Sequence, residues 1–89
     1  MDYREDEDKF KDLLNKEYSW PAKYTFKFIL PTGKEKIIED LFKKDVEIKT
    51  KPSSGGKYIS ITIYAMMSSA DEILELYQQA STITGIISL

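Results

Sequence analysis

An α+β domain, four antiparallel strands with two helices on one face, is predicted by three features of this 89-residue sequence. Apolar and polar residues alternate with period two along residues 24–30, 46–51 and 58–64. Apolar stripes with helical spacing follow the first and third of these runs. Pro- or Gly-bearing turns separate the segments, so the order after an N-terminal helix is βαββαβ. Two βαβ units with right-handed crossovers, joined by a hairpin, pack most simply as interleaved halves with strand order 4-1-3-2. That arrangement is the ferredoxin-like sandwich.

The elements follow in chain order. Residues 1–9 form an acidic leader expected to fray, and residues 10–89 form the single domain. Phe10, Leu13, Leu14 and Tyr18 trace a short amphipathic helix that Pro21 stops. Tyr24, Phe26, Phe28 and Leu30 point to one side of the first strand, Thr25, Lys27 and Ile29 to the other. Pro31-Thr32-Gly33 makes a turn, and Thr32 with Glu35 reads as a capping box ahead of Ile37, Ile38, Leu41 and Phe42. Val46, Ile48 and Thr50 alternate with Glu47, Lys49 and Lys51 in an edge strand closed by Pro52.

The third strand turns Ile59, Ile61 and Ile63 inward and Tyr58, Ser60, Thr62 and Tyr64 outward, one-sided burial of the kind antiparallel sheets show. Ser69 with Glu72 forms a second capping box, and Ala70, Ile73, Leu74, Tyr77 and Ala80 trace the helix behind it. Gly85 marks a turn into a last edge strand, residues 86–89. No helix of the βαββαβ repeat covers the second sheet face. Thr25, Lys27, Ile29, Glu47, Lys49, Tyr58, Ser60, Thr62, Tyr64 and Ile86 are expected to line it.

Composition excludes whole classes of chemistry. The chain has no Cys and no His, which removes disulfides, Cys nucleophiles, His bases and the usual zinc and iron-sulfur sites; no metal site, cofactor or catalytic residue is assigned. No apolar run reaches the roughly 20 residues that span a bilayer, and the first residues are acidic, so a cytoplasmic protein without membrane contact is expected. Residues 1–12 hold six acids against three bases and the remainder nine against ten. A nearly neutral domain offers little general attraction to a phosphate backbone, so nucleic acid is disfavoured as a partner.

Two segments carry a wider resemblance. Trp20-Pro21-Ala22-Lys23-Tyr24-Thr25-Phe26-Lys27-Phe28 and Lys51-Pro52-Ser53-Ser54-Gly55-Gly56-Lys57-Tyr58-Ile59-Ser60-Ile61-Thr62-Ile63 resemble the YbeD-like family of small bacterial proteins, a domain of unknown function. The Pro52, Ser53, Ser54, Gly56, Tyr58, Ser60 string is the specific part. The resemblance implies a ferredoxin-like fold similar to ACT domains, which bind amino acids and related molecules and regulate enzymes, often as dimers. A family position that is often Lys is Gly55 here. The resemblance carries over no catalytic residue.

Ligand contacts are expected at Ser53, Ser54, Gly56, Lys57, Tyr58 and Ser60, where hydroxyls, glycine amides and an ammonium suit a carboxylate or phosphate, and at Thr32 and Gly33 beside a helix start. Turn geometry and helix capping explain the same residues without a ligand. The leading expectation is a regulatory module that senses an amino acid or organic acid and modulates a partner enzyme. A protein-protein adaptor without small ligand is the alternative, and a single-stranded RNA binder the third, on a faint RNP1 echo at residues 56–61. A homodimer through a sheet edge or the open face is also expected.

Overall fold

The computed structural model describes residues 3–42 and 45–89, with side chains from Glu7 onward. Helix α1 spans Tyr3–Glu17, strand β1 Ala22–Pro31, helix α2 Glu35–Glu39, strand β2 Glu47–Pro52, strand β3 Tyr58–Met67, helix α3 Ala70–Ala80 and strand β4 Ile87–Ser88. The four strands form one sheet in the order β2-β3-β1-β4, every pair antiparallel. This is the expected 4-1-3-2 order viewed from the other edge, and it is consistent with a ferredoxin-like fold.

The sheet buries one face. Phe26, Phe28 and Leu30 of β1 and Ile61 and Ile63 of β3 are fully buried, joined by Ile38 of α2, Ile73 of α3 and Leu14 of α1. Strict alternation produces this: in the β1–β3 register Phe26 sits opposite Ile63 and Phe28 opposite Ile61, so both strands turn their apolar sets the same way. All three helices contribute to that one core.

The N-terminal helix starts at Tyr3, within the leader expected to fray; Met1 and Asp2 lie outside the described residues. Its early turns are tied to α3: the Gln78 amide donates to Glu7 at 2.8 Å, and Lys11 pairs with Asp71 at 2.8 Å. Of the expected stripe, Phe10, Leu14 and Tyr18 pack inward but Leu13 is 54% exposed. The buried line is i, i+4, i+8, and Leu13 lies about 100° round the helix from it.

The first capping box is a correction. Helix α2 begins after Lys34, with no side-chain cap; the Thr32 hydroxyl is committed to Gly56, and Glu35 accepts instead from the Gly33 amide. Thr32 is held by the neighbouring hairpin and so is not placed to cap. The helix is also short, passing into i→i+3 turns at Leu41 and Phe42 that still press both against the core. Ile38, Leu41 and Phe42 share the inward i, i+3, i+4 face, which leaves Ile37 half-exposed.

The second box forms largely as expected. Ser69 in extended conformation accepts from the Glu72 amide at 3.1 Å, while Glu72 reaches back to the Ser68 amide at 3.2 Å, one residue before the usual partner. In β4 the facing is reversed: Ile86 packs on the core, and Ile87 stands opposite Ile29 on the open side. The register decides the facing: Ser88 stands opposite the inward Phe28, so Ile86, two residues before it, falls on the core side. Met66 is 61% exposed because it is an outward position of β3.

Candidate functional site

The open face and the loops at one end of it form the candidate site. Helix α1 packs on the core side, through Phe10 against Tyr77 of α3 and Tyr18 against Tyr24 of β1, so it does not cover the opposite sheet face. Along β3 that face shows Tyr58, Ser60, Thr62, Tyr64 and Met66, flanked by Lys23, Thr25, Lys27 and Ile29 of β1 and by Glu47, Lys49 and Lys51 of β2.

The hairpin between β2 and β3 closes on itself. The Ser53 amide donates to the Tyr58 carbonyl at 2.8 Å, the Tyr58 amide to the Ser53 hydroxyl at 3.2 Å, and the Gly56 amide to the Ser53 carbonyl at 3.0 Å. Gly56 has φ +73°, a left-handed conformation that glycine adopts at little cost. The turn after β1 is stapled to this hairpin: the Thr32 amide donates to the Lys57 carbonyl at 2.9 Å and its hydroxyl to the Gly56 carbonyl at 2.7 Å. The two loops singled out from sequence are therefore one unit.

A cleft of about 280 Å³ opens where the hairpin meets the sheet, lined by Ile29, Lys51, Pro52, Ser53, Ser54, Tyr58 and Ser60. Four of the expected ligand residues, Ser53, Ser54, Tyr58 and Ser60, come together there. Gly56 and Thr32 buttress the loop behind it. Lys57 and Gly33 do not line it, and the Gly33 amide already serves the Glu35 carboxylate. Lys51 and Ile29 supply the cation and the apolar wall that the sequence reading did not place there. Their signal was present in the period-two facing of β1 and β2, which sends both to the open side.

A second cavity, of about 420 Å³, lies between α1, α3 and the end of β4, lined by Glu7, Phe10, Tyr24, Leu74, Tyr77, Gln78 and Leu89. It depends on the docking angle of α1, which no local pattern encodes. Burial, reinforced by the Tyr24 hydroxyl at 3.0 Å, pushes the Tyr77 phenol well above its ordinary range.

Known proteins narrow the family. A family model described as a protein of unknown function, DUF493, matches residues 15–88. A UPF0250 protein of Shewanella piezotolerans is 30% identical over 84 residues, covering 88% of this chain and 91% of the relative. One of Haemophilus ducreyi is 32% identical over 85 residues, covering 88% and 82%. The solution structure of protein HP0495 from H. pylori superposes with a TM-score of 0.70 at 18% identity, covering 81% of this chain and 85% of the other. The match spans the core strands, the hairpin and α3, and agrees with the YbeD-like resemblance of the Pro52–Ser60 string, so the chain belongs to the DUF493 (UPF0250) family of proteins of unknown function.

Proposed function

We propose that this protein is a regulatory binding module of ACT-like kind that takes a small carboxylate, an amino acid or organic acid, in the hairpin cleft and modulates a partner enzyme. The observation that carries the reading is the convergence of Ser53, Ser54, Tyr58 and Ser60 with Lys51 around one cleft of about 280 Å³. Pockets for drug-sized ligands run from about 300 to 1,000 Å³, so this one suits a smaller molecule. Lys51 and the serine hydroxyls supply donors for a carboxylate, while Ile29, Pro52 and the Tyr58 ring meet a short apolar body. Without a desolvated base or a nucleophile set against one, the same groups support binding rather than catalysis.

Calorimetric titration with a panel of amino acids and short dicarboxylates tests it. Binding of one class, weakened about tenfold or more by Lys51→Ala and by Ser54→Ala, is the expected result. No heat with any member, or binding indifferent to both substitutions, would leave the adaptor reading in its place. A homodimer belongs to the same proposal, through β4, whose Ile87 is exposed and whose two residues carry no charge to guard the edge. Sedimentation of the wild type and Ile87→Lys checks it.

A further inference from the structure

The outward positions of β1 and β2 carry mostly positive charge. Lys23 and Lys27 on β1 and Lys49 and Lys51 on β2 share the face with Glu47, its one acid, in a chain whose formal net charge is −2. All four lysines are exposed, and among the described residues none has a carboxylate within ion-pair distance; the ion pair present is Lys11–Asp71 on the helical side. Near neutrality of the whole conceals this segregation.

The placement is specific. Lys27 and Lys49 both stand opposite Thr62, one on each side of β3, so their strands lie about 10 Å apart. That is close to the screening length of about 8 Å at physiological salt, and their repulsion is only partly damped. The ammonium groups of Lys23 and Lys49 hang over the Tyr64 ring at 5.5 and 5.6 Å from its centre. Between the lysines lie the hydroxyls of Thr25, Ser60 and Thr62, which can donate to carboxylates.

We propose that this face docks an acidic segment of a partner protein, its carboxylates seated on Lys23, Lys27, Lys49 and Lys51. The four cations span three strands, more than one small anion can reach. Lys49 and Lys51 are alternate residues of one strand, about 7 Å apart, the spacing of alternate acidic side chains on an extended peptide. Single-stranded nucleic acid suits the face less well. Its affinity for open sheets rests on free aromatic faces for base stacking, whereas the Tyr64 ring already carries two ammonium groups and Tyr58 lies six residues away along β3. Phe26 and Phe28 are buried and supply no platform. A second copy of this chain would have to bring its acidic N-terminal helix, which packs on the opposite side of the sheet. That contact is head-to-tail and does not close with two-fold symmetry.

The docking holds whether or not the hairpin cleft takes a ligand, and the test separates the two. Isotope-labelled full-length protein is titrated at low salt with a peptide alternating Glu and Leu, and in parallel with oligo-dT and oligo-U of similar length. The expected result is peptide-induced shifts confined to the outward residues of β1, β2 and β3. Affinity should fall with salt, and by about tenfold or more in Lys27→Glu/Lys49→Glu. Both positions are fully outside the core, so the variant should melt like the wild type. Ser54→Ala should bind the peptide normally even if it loses a cleft ligand. Tighter binding to an oligonucleotide would overturn the proposal in favour of nucleic acid. A concentration-dependent rise in mass with broadening of these same residues would assign the face to a second copy. Shifts elsewhere, or none, would remove the docking site altogether.

Discussion

The hydroxyls of Tyr24 and Tyr77 meet at 3.0 Å, joining the first strand to the last helix across 53 residues of sequence. Their rings meet edge to face, with Tyr77 also against Phe10, Phe26 and Phe28, so this one side chain joins α3 to both α1 and β1. Removal of water from around a phenol disfavours its charged form. The folded state therefore holds the Tyr77 proton more firmly than the unfolded chain does.

The consequence is a signed pH dependence. Above about pH 10 the unfolded phenol ionises while the folded one stays neutral, so the native state binds more protons and stability falls as pH rises further. Tyr77→Phe should lose about 1 kcal/mol near neutral pH through the missing hydrogen bond, and should flatten the alkaline limb. Urea denaturation at neutral pH and above pH 10 checks both. Equal slopes for wild type and variant would show that Tyr77 ionises in the folded protein as readily as in the unfolded chain.

Adjacent leucines in α1 should behave oppositely. Leu14 is 4% exposed and packs in the common core, and Leu14→Ala should cost about 2 to 4 kcal/mol. Leu13 faces solvent, and Leu13→Ala should stay within about 0.5 kcal/mol. A reversed order in thermal or chemical melts would mean that the helix docks by another face.

Neighbouring positions of β3 make the same comparison for the sheet. Ile61→Asp places an unpaired carboxylate in the core and should unfold most of the protein, a loss of about 4 kcal/mol or more. Thr62→Asp puts the same charge between Lys27 and Lys49 and should melt close to wild type. Circular dichroism of both variants decides whether the faces are assigned correctly.

Gly85 brings the chain from α3 to β4 with φ +82°, and a Cβ there would lie 2.9 Å from the Pro31 ring. Gly85→Ala combines a left-handed backbone penalty with that clash, for an expected loss of about 1 to 3 kcal/mol. Loss of amide protection at Leu89, which donates to the Lys27 carbonyl, would show β4 detaching first.

Strand facing and strand order were legible in the chain because alternation and turn chemistry are local signals. Phe26, Phe28, Ile61 and Ile63 alternate with polar residues over enough positions that one register buries them all, and two crossovers of fixed hand leave few ways to interleave them. The Ser53, Ser54, Tyr58, Ser60 cluster was legible for the same reason, as a hairpin and the outward residues that follow it.

Other features were settled by contacts between segments distant in sequence. Thr32 matched a capping pattern, yet its hydroxyl donates to the Gly56 carbonyl 24 residues away, and with Thr32 held on the hairpin the helix starts only after Lys34. Leu13 and Leu14 are equally apolar, and only the angle at which α1 meets α3 chose between them. Lys23 and Lys27 are separated from Lys49 and Lys51 along the chain by α2, and pairing β1 and β2 on either side of β3 collected them on one face. The sequence by itself determined which side of each strand is apolar, a property of single residues and their period. Tertiary structure alone decided which polar groups become neighbours, because hydrogen bonds and charge act over a few ångströms of space whatever the separation along the chain.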